Sequence, residues 1–315
     1  MWVWAACLGV GPPTVWRTVD PSPDELTLAV IGDWGQDRAG LDGTAAALKV
    51  ARRDLGVDLL LLTGDNAYPR GLTGDAAVTR HALRFQRLVG DDPPATWAVA
   101  GNHDWGRGFD AAAFGRQRDW AWGAGRYHLP SQDWVLDLPL ARIVGLETTR
   151  RFWDGADDSF IDAALAGADT RWRVVLAHHT FMSNGTHGTA GAYEGWRGVP
   201  WMSGTGLAAL RDTSLCGCAD IVLSGHDHHR EWLDACGTWF AVSGAGADPH
   251  GPPGRGIPSL HSSGGHGLVH LTLTASTIEV RFVDPTGVSW QWAAPRRPRV
   301  CGGGPVASET RQGGG

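Results

Sequence analysis

The chain reads as an α/β fold whose functional residues gather beyond the carboxyl ends of its strands. Three observations predict this. Short apolar runs, residues 59–62 and 221–223 among them, have the unbroken hydrophobicity of strands covered on both faces. Stretches of helical periodicity separate several of these runs, as in a fold of alternating strands and helices. Five of the runs end, directly or within a residue or two, in a side chain able to bind a metal: Asp33, Asp65, Asn102, His178 and His226.

Taken in order, residues 26–31 form a strand by composition and lead into Gly32-Asp33-Trp34-Gly35. Residues 44–55 read as a helix with Ala, Leu and Val on one side and Lys49, Arg52 and Arg53 elsewhere. The run 59–62 delivers Thr63-Gly64-Asp65-Asn66-Ala67-Tyr68, and a second helix covers 76–89. Strand 96–100 ends in Gly101-Asn102-His103-Asp104. Between 106 and 139 the chain is rich in Gly and Trp and reads as loops with a short helix near 111–120. Residues 134–138 and 141–146 look like paired strands, 159–166 like a short helix, and 171–177 like a strand ending in His178-His179. An irregular segment, 180–204, carries His187, and a short helix at 206–212 precedes 221–223, which turns through Ser224-Gly225 into His226-Asp227-His228. Strands follow at 238–243, 268–273 and 277–283, with a Gly/Pro-rich loop at 248–267. The domain therefore spans 26–285, with 286–315 a disordered Gly/Pro-rich tail and 1–25 an N-terminal segment.

Composition narrows the function. With 315 residues, a net charge of -6 and no basic cluster larger than Arg296-Arg297-Pro298-Arg299, the chain has no electrostatic footprint for nucleic acid. No apolar run reaches the ~18 residues of a membrane helix. The 45 glycines point to many tight loops, and the 17 tryptophans read mostly as packing residues. None of the five cysteines, Cys7, Cys216, Cys218, Cys236 and Cys301, sits in a zinc-binding pattern. Cys236 is placed to pair with Cys216 or with Cys218, and a bond of either kind implies an oxidising compartment. The apolar start, Met1 to Val10, lacks the positive charge and length of a full export signal, although small residues before Cys7 resemble a lipoprotein cleavage site. The first 25 residues are consistent with the remnant of such a signal, and the expected location is extracytoplasmic: periplasmic, lipid-anchored or secreted.

The ligand types are informative together. Aspartate, asparagine, histidine and tyrosine without cysteine suit iron, zinc or manganese. Two such ions ~3.5–4 Å apart share a carboxylate and clamp the oxygens of a phosphoryl group; Asp65 is the natural bridge. Each residue alone is better explained as a cap, a turn or a packing side chain. Their shared order is what carries weight.

The blocks Gly-Asp33-Trp-Gly, Gly-Asp65-Asn-Ala-Tyr68, Gly-Asn102-His103-Asp, Ala-His178 and Gly-His226-Asp-His228 resemble those of the calcineurin-like metallophosphoesterases. Tyr68 and the single-domain length resemble the tartrate-resistant, or purple, acid phosphatases within them. The resemblance implies a two-sheet sandwich flanked by helices, with a dinuclear metal site at the strand ends. It implies Fe(III) on Asp33, Asp65, Tyr68 and His228, and Fe(II) or Zn(II), with Mn(II) as a further candidate, on Asp65, Asn102, His178 and His226. It places His103 and His187 toward the substrate, His103 as the acid that protonates the leaving alkoxide, after in-line attack by a metal-held hydroxide. The implied activity is a monomeric acid phosphatase acting on small phosphate monoesters. A phosphodiesterase on the same scaffold is the nearest rival, and a non-catalytic metal- or phosphate-binding protein the reading from another class. His179-Thr180 and Met182 depart from the family pattern on the substrate side, so substrate preference does not transfer. Asp104 and Asp227 read as turn residues or as acceptors that orient the imidazoles.

Overall fold

The structure, a computed structural model, describes residues 15–17, 22, 24–106, 110–154, 159–166, 171–197, 199–252 and 254–301. In chain order the strands are β1 (Val15–Arg17), β2 (Glu25–Ile31), β3 (Leu59–Leu62), β4 (Ala95–Ala98), β5 (Tyr127–His128), β6 (Trp134–Asp137), β7 (Ala141–Gly145) and β8 (Trp172–Leu176). They continue with β9 (Ile221–Ser224), β10 (Arg230–Ala235), β11 (Thr238–Ser243), β12 (His261–Ser263), β13 (Leu268–Thr274), β14 (Thr277–Asp284) and β15 (Gly287–Pro295). One sheet has the order β15-β14-β13-β2-β3-β4-β5 and the other β1-β6-β7-β8-β9-β11-β10-β12.

Alternation along the strands explains how the sheets stack. Successive side chains leave a strand on opposite faces. Leu26, Leu28 and Val30 of β2 and Leu59 and Leu61 of β3 therefore face the second sheet, where they meet Val174, Leu176, Ile221 and Leu223. Their neighbours Ala29, Ile31, Leu60 and Leu62 face outward. There they bury Leu41, Ala47 and Leu48 of helix α1 (Ala39–Asp54) and Phe85 and Leu88 of α2 (Asp75–Val89), with Phe114 of α3 (Ala111–Gly123) in the same cluster. Val175 and Val222 likewise face Ile161, Leu207 and Leu210 on the far side of the second sheet. The result is a four-layer arrangement, helices on either side of two facing sheets. Trp134, Trp172, Trp232 and Trp239 fill the layer between the sheets, which accounts for much of the tryptophan content.

This stacking positions the site. Strands β2, β3 and β4 run parallel in one sheet, and β7, β8 and β9 run parallel in the other. Parallel neighbours release their carboxyl ends on the same edge, so two bundles of strand ends meet at one rim of the sandwich.

Several elements differ from expectation. Helix α1 begins at Ala39, not at 44, because Gly40 and Gly43 obscure the helical pattern. Gly40 is there for contact: a Cβ on it would lie 2.1 Å from the Ala247 carbonyl oxygen. Strand β10 escapes a hydrophobicity reading because it opens on Arg230 and Glu231, both buried. Arg230 Nη1 donates to the Val283 carbonyl at 3.0 Å, and Glu231 Oε1 accepts from Asn184 Nδ2 at 2.7 Å.

The expected tail from 286 onward is in large part not a tail. Gly287–Pro295 forms β15 on the edge of β14, with a register shift at Phe282/Val283. The mixture of Gly, Ser, Gln and Pro conceals an alternation in which Trp290, Trp292 and Ala294 pack on the inter-sheet core. Beyond it Arg299 Nε donates to Asp220 Oδ2 at 3.1 Å. Residues 302–315 lie outside the described residues, as do 1–14 and 18–21, where the export-signal reading falls. Cys216 and Cys236 are joined in a disulfide, which selects one of the two pairings left open; Cys218 and Cys301 are outside that bond.

Truncation after residue 286 tests the role of β15. Loss of its buried tryptophan surface should lower the unfolding free energy by about 3 kcal/mol or more. A denaturant midpoint unchanged by the deletion would restore the disordered-tail reading.

Candidate metal centre

The turns that follow the strands are unusual in their backbone. Asp33 (φ 58°), Asp65 (φ 50°) and His226 (φ 66°) all occupy the left-handed region without being glycine. Each costs of the order of 1–3 kcal/mol and persists only where surrounding bonds enforce it. Here the turns enforce one another: Asp33 N donates to Gly64 O at 3.0 Å and Gly225 N to His178 O at 3.0 Å. His226 N donates to Asp33 Oδ2 at 2.9 Å, and His103 N to Asp65 Oδ1 at 2.9 Å. Two glycines permit this crowding. A Cβ on Gly101 would lie 2.2 Å from Asp65 Oδ1, and one on Gly225 would lie 2.6 Å from Asp33 Oδ2.

The side chains so placed converge. Donor atoms of Asp33, Asp65 and His178 lie within 4.8 Å of one another. His178 Nε2 is 2.9 Å from Asn102 Oδ1, 3.3 Å from His226 Nδ1 and 3.5 Å from Asp65 Oδ1. On the other flank, Tyr68 Oη donates to Asp33 Oδ1 at 3.1 Å, and His228 Nε2 is 3.3 Å from Tyr68 Oη and 3.5 Å from Asp33 Oδ1. All seven residues expected as ligands thus meet at one place.

Tautomers show what the cluster lacks. His178 Nδ1 lies 2.9 Å from the Thr63 carbonyl, and His228 Nδ1 lies 3.0 Å from the Asp248 carbonyl. A carbonyl only accepts, so each Nδ1 carries a proton, and in the neutral ring each Nε2 turns a lone pair toward carboxylate, amide or phenol oxygens. Almost every atom facing inward is an acceptor. A cation satisfies such a group, and the donor set of imidazole, carboxylate, amide and phenol oxygen fits iron, zinc or manganese.

Titration expresses the same imbalance. Burial pushes the Tyr68 phenol well above its ordinary value, with Asp65 and Asp33 adding to the shift. Burial also acts to raise Asp33, but the hydrogen bond and charge of His228 outweigh it and hold the carboxyl below the usual range. For His228, burial opposes protonation, yet the hydrogen bond and charge of Asp33 push its pKa up to about 9. Burial, followed by the charges of His179 and His187, drives His226 well below the ordinary imidazole value. Without metal, a proton on His228 takes the place of a cation.

The two residues expected to face substrate flank this cluster. The His103 ring stands 4.2 Å from that of Tyr68, and its Nδ1 is held by the Pro69 carbonyl at 2.8 Å, leaving Nε2 3.9 Å from Asp65 Oδ2. The His187 ring stacks on His226 at 4.3 Å, and its backbone N donates to Asp227 Oδ1 at 2.7 Å. His187 Nδ1 also bonds the carboxylate of Glu194, a residue with left-handed backbone (φ 53°) that nothing in the sequence singles out. The rings of His178, His228 and His103 are oriented by the carbonyls of Thr63, Asp248 and Pro69, and no ring nitrogen of these three meets Asp104 or Asp227. Asp104 Oδ2 accepts from Gly101 N at 2.7 Å and from Asn66 Nδ2 at 3.0 Å, and Asp227 ties down the loop at 187–188, so both act as turn organisers. His179, which departs from the family pattern, is buried; its Nδ1 meets Thr148 Oγ1 at 2.9 Å and its ring lies 4.5 Å from that of His226.

Residues 26–230 match the calcineurin-like phosphoesterase family. The chain belongs to that family. It is a metal-dependent phosphoric ester hydrolase, and hydrolysis by a two-metal site is its chemistry. Among curated proteins it is 23% identical to purple acid phosphatase 17 of Arabidopsis thaliana, across 89% of this chain and 88% of that one. It is 26% identical to tartrate-resistant acid phosphatase type 5 of Sus scrofa, across 92% of each. Among solved structures, a GAP50 described as the anchor in the inner membrane complex of Plasmodium superposes with a TM-score of 0.64 at 18% identity, covering 88% of this chain and 90% of its own. A dimetal phosphatase from Danio rerio does so with a TM-score of 0.55 at 12% identity, covering 86% and 99%. The structural likenesses establish the two-sheet phosphoesterase fold. No helix among the described residues is long and apolar enough to cross a membrane.

The His228–Asp33 pair gives a pH test. The His228 pKa is pushed up to about 9 in the folded protein from 6.5 in the unfolded chain, so its stabilisation is complete below about pH 6.5 and lost as pH rises through 9. Metal-free protein should lose roughly 2–3 kcal/mol across that window. A metal ion bound at Nε2 would occupy its lone pair, so the slope should vanish in loaded protein; a slope that persists would show that His228 is not a ligand.

Proposed function

We propose that the chain hydrolyses phosphate monoesters at acidic pH, as an acid phosphatase acting outside the cytoplasm. Asp33, Asp65, Tyr68 and His228 hold Fe(III), while Asp65, Asn102, His178 and His226 hold Fe(II), Zn(II) or Mn(II). When bound, the metal pair supplies positive charge for the phosphoryl oxygens and a hydroxide nucleophile from water.

One observation supports the monoester reading above the others. His103 packs on Tyr68 and His187 packs on His226, so an imidazole stands on each flank of the ligand cluster. A terminal phosphate held between them meets donors on two sides. His103, with Nδ1 fixed by Pro69, presents Nε2 to the leaving oxygen and protonates it as the ester bond breaks. His187, its ring aligned by Glu194 and its loop tied down by Asp227, donates to a non-bridging oxygen and holds the phosphate in line. Both tasks require a protonated imidazole, so on this reading activity falls as pH rises. The Cys216–Cys236 disulfide supports an oxidising compartment, as does the purple acid phosphatase likeness.

Hydrolysis of p-nitrophenyl phosphate and of its bis-ester from acid to alkaline pH tests this reading. The monoester should be preferred, with an acidic optimum. His103→Ala should lower kcat on an alkyl phosphate by about 10²-fold or more, with less effect on p-nitrophenyl phosphate, whose leaving group is already acidic. Preference for the diester would move the chain to the phosphodiesterase reading, and no turnover with metal bound to the binding-protein reading. A tyrosinate-to-Fe(III) absorption band lost in Tyr68→Phe is expected, and its absence from iron-loaded protein would remove Fe(III) from the Tyr68 position. Glu194→Ala should cut kcat by about 10-fold through misalignment of His187, with rescue in Glu194→Gln; equal loss in both variants would argue against an orienting role.

A further inference from the structure

A cavity of about 320 Å³ shares a wall with the metal centre. That wall is Tyr68, whose hydroxyl bonds Asp33 and whose residue also lines the cavity. Pro69 and Arg70 line it next, and Arg80 reaches it from α2. Because the Pro69 carbonyl fixes His103, the rim of the cavity is the segment over which His103 stands. His103 Nδ1 faces this rim while its Nε2 lies 3.9 Å from Asp65 Oδ2, so the cavity borders the metal centre through Tyr68 and the Pro69 segment that holds His103.

Its charge is selective. Arg70 and Arg80 are exposed, and neither is in an ion pair with a described residue. Asp37, whose carboxyl feels the charge of Arg80, takes its hydrogen bond from Arg84 instead. Arg116 brings a third guanidinium near, with Nη1 donating to the Leu72 carbonyl at 3.1 Å. Asp110 is the carboxylate of the lining, and its Oδ1 accepts from Ala112 N at 2.9 Å at the start of α3. The cavity thus presents guanidinium groups to a void with room for a phosphate and the carbons that bear it, and guanidinium forks bind phosphate oxygens in pairs.

We propose that this cavity is a subsite for a second phosphate on the leaving group, so that the preferred substrates are small bisphosphates from which one phosphate is removed. The assignment rests on the monoesterase reading above and adds the substrate class. Tyr68 lies between the metal centre and the cavity, so the two phosphates cannot share one carbon.

A matched pair of substrates tests it: n-butyl phosphate and butane-1,4-diol bisphosphate, which differ only in the second phosphate. Metal-loaded wild-type protein should favour the bisphosphate in kcat/KM by about tenfold at ~0.15 M salt. In the double variant Arg70→Gln, Arg80→Gln that ratio should fall toward one. The same replacement at Arg126, far from the cavity lining, should leave the ratio alone. A ratio near one in wild type, or a ratio that survives the double variant, overturns the subsite. Calorimetric titration with 1,4-butanedisulfonate, which no phosphatase cleaves, separates this failure from failure of the catalytic reading. If neither ester is hydrolysed, binding of the disulfonate that weakens in the double variant upholds the subsite, and binding that is absent or unchanged overturns it.

Discussion

The structure depends on a shortage of protons at one rim of the sandwich. His178 and His228 each spend their Nδ1 hydrogen on a backbone carbonyl, from Thr63 and Asp248, and each turns a lone pair inward. The inward partners are the oxygens of Asp33, Asp65, Asn102 and Tyr68. Buried acceptors without donors are costly, and a buried carboxylate without a counter-charge more so. Asp33 and Asp65 are 0% and 2% exposed, so solvent does not relieve them. Backbone and phenol donors to Asp33 and Asp65 offset part of this cost, and positive charge, a metal or the proton on His228, offsets the rest.

Rigidity of that kind has to come from outside the site. The ligand turns carry left-handed residues and glycines whose Cβ atoms would collide with the carboxylates. What holds them is the sandwich: parallel strands with apolar side chains on both faces, each face burying leucines and valines worth roughly 1.5–3 kcal/mol apiece. Cross-connections between the two sheets at the rim, such as the His226 amide on Asp33 and Gly32 N on Ser243 O at 2.7 Å, make the strand ends one unit. Stability is concentrated in the core and spent as strain at the rim, the usual division between scaffold and site.

Much of this was legible in the sequence, for definable reasons. Runs such as Leu59–Leu62 can only be strands buried on both sides, and Gly-Asp or Gly-His directly after them marks a tight turn carrying a ligand. The gathering of Asp33, Asp65, Asn102, His178 and His226 follows from their places at strand ends, whereas the full ligand set with Tyr68 and His228 comes from the family resemblance. What was not legible depends on partners distant in the chain. The carbonyls of Thr63, Pro69 and Asp248 orient the histidines, and a carbonyl has no sequence signature. Glu194 meets His187 through a turn that its residue type does not favour. Buried charges hid β10, and polar spacing hid the tryptophan face of β15. The cavity beside Tyr68 exists because loop 67–73, α2 and the start of α3 meet there, which no local pattern records.

The most direct test of the account is anomalous X-ray diffraction from crystals of the metal-loaded protein. The account predicts two peaks. One should be bounded by Asp33, Tyr68 and His228, the other by Asn102, His178 and His226, with Asp65 in contact with both. A single peak, no peak in fully loaded protein, or peaks bound elsewhere while the inward lone pairs of His178 and His228 remain without a cation would contradict it.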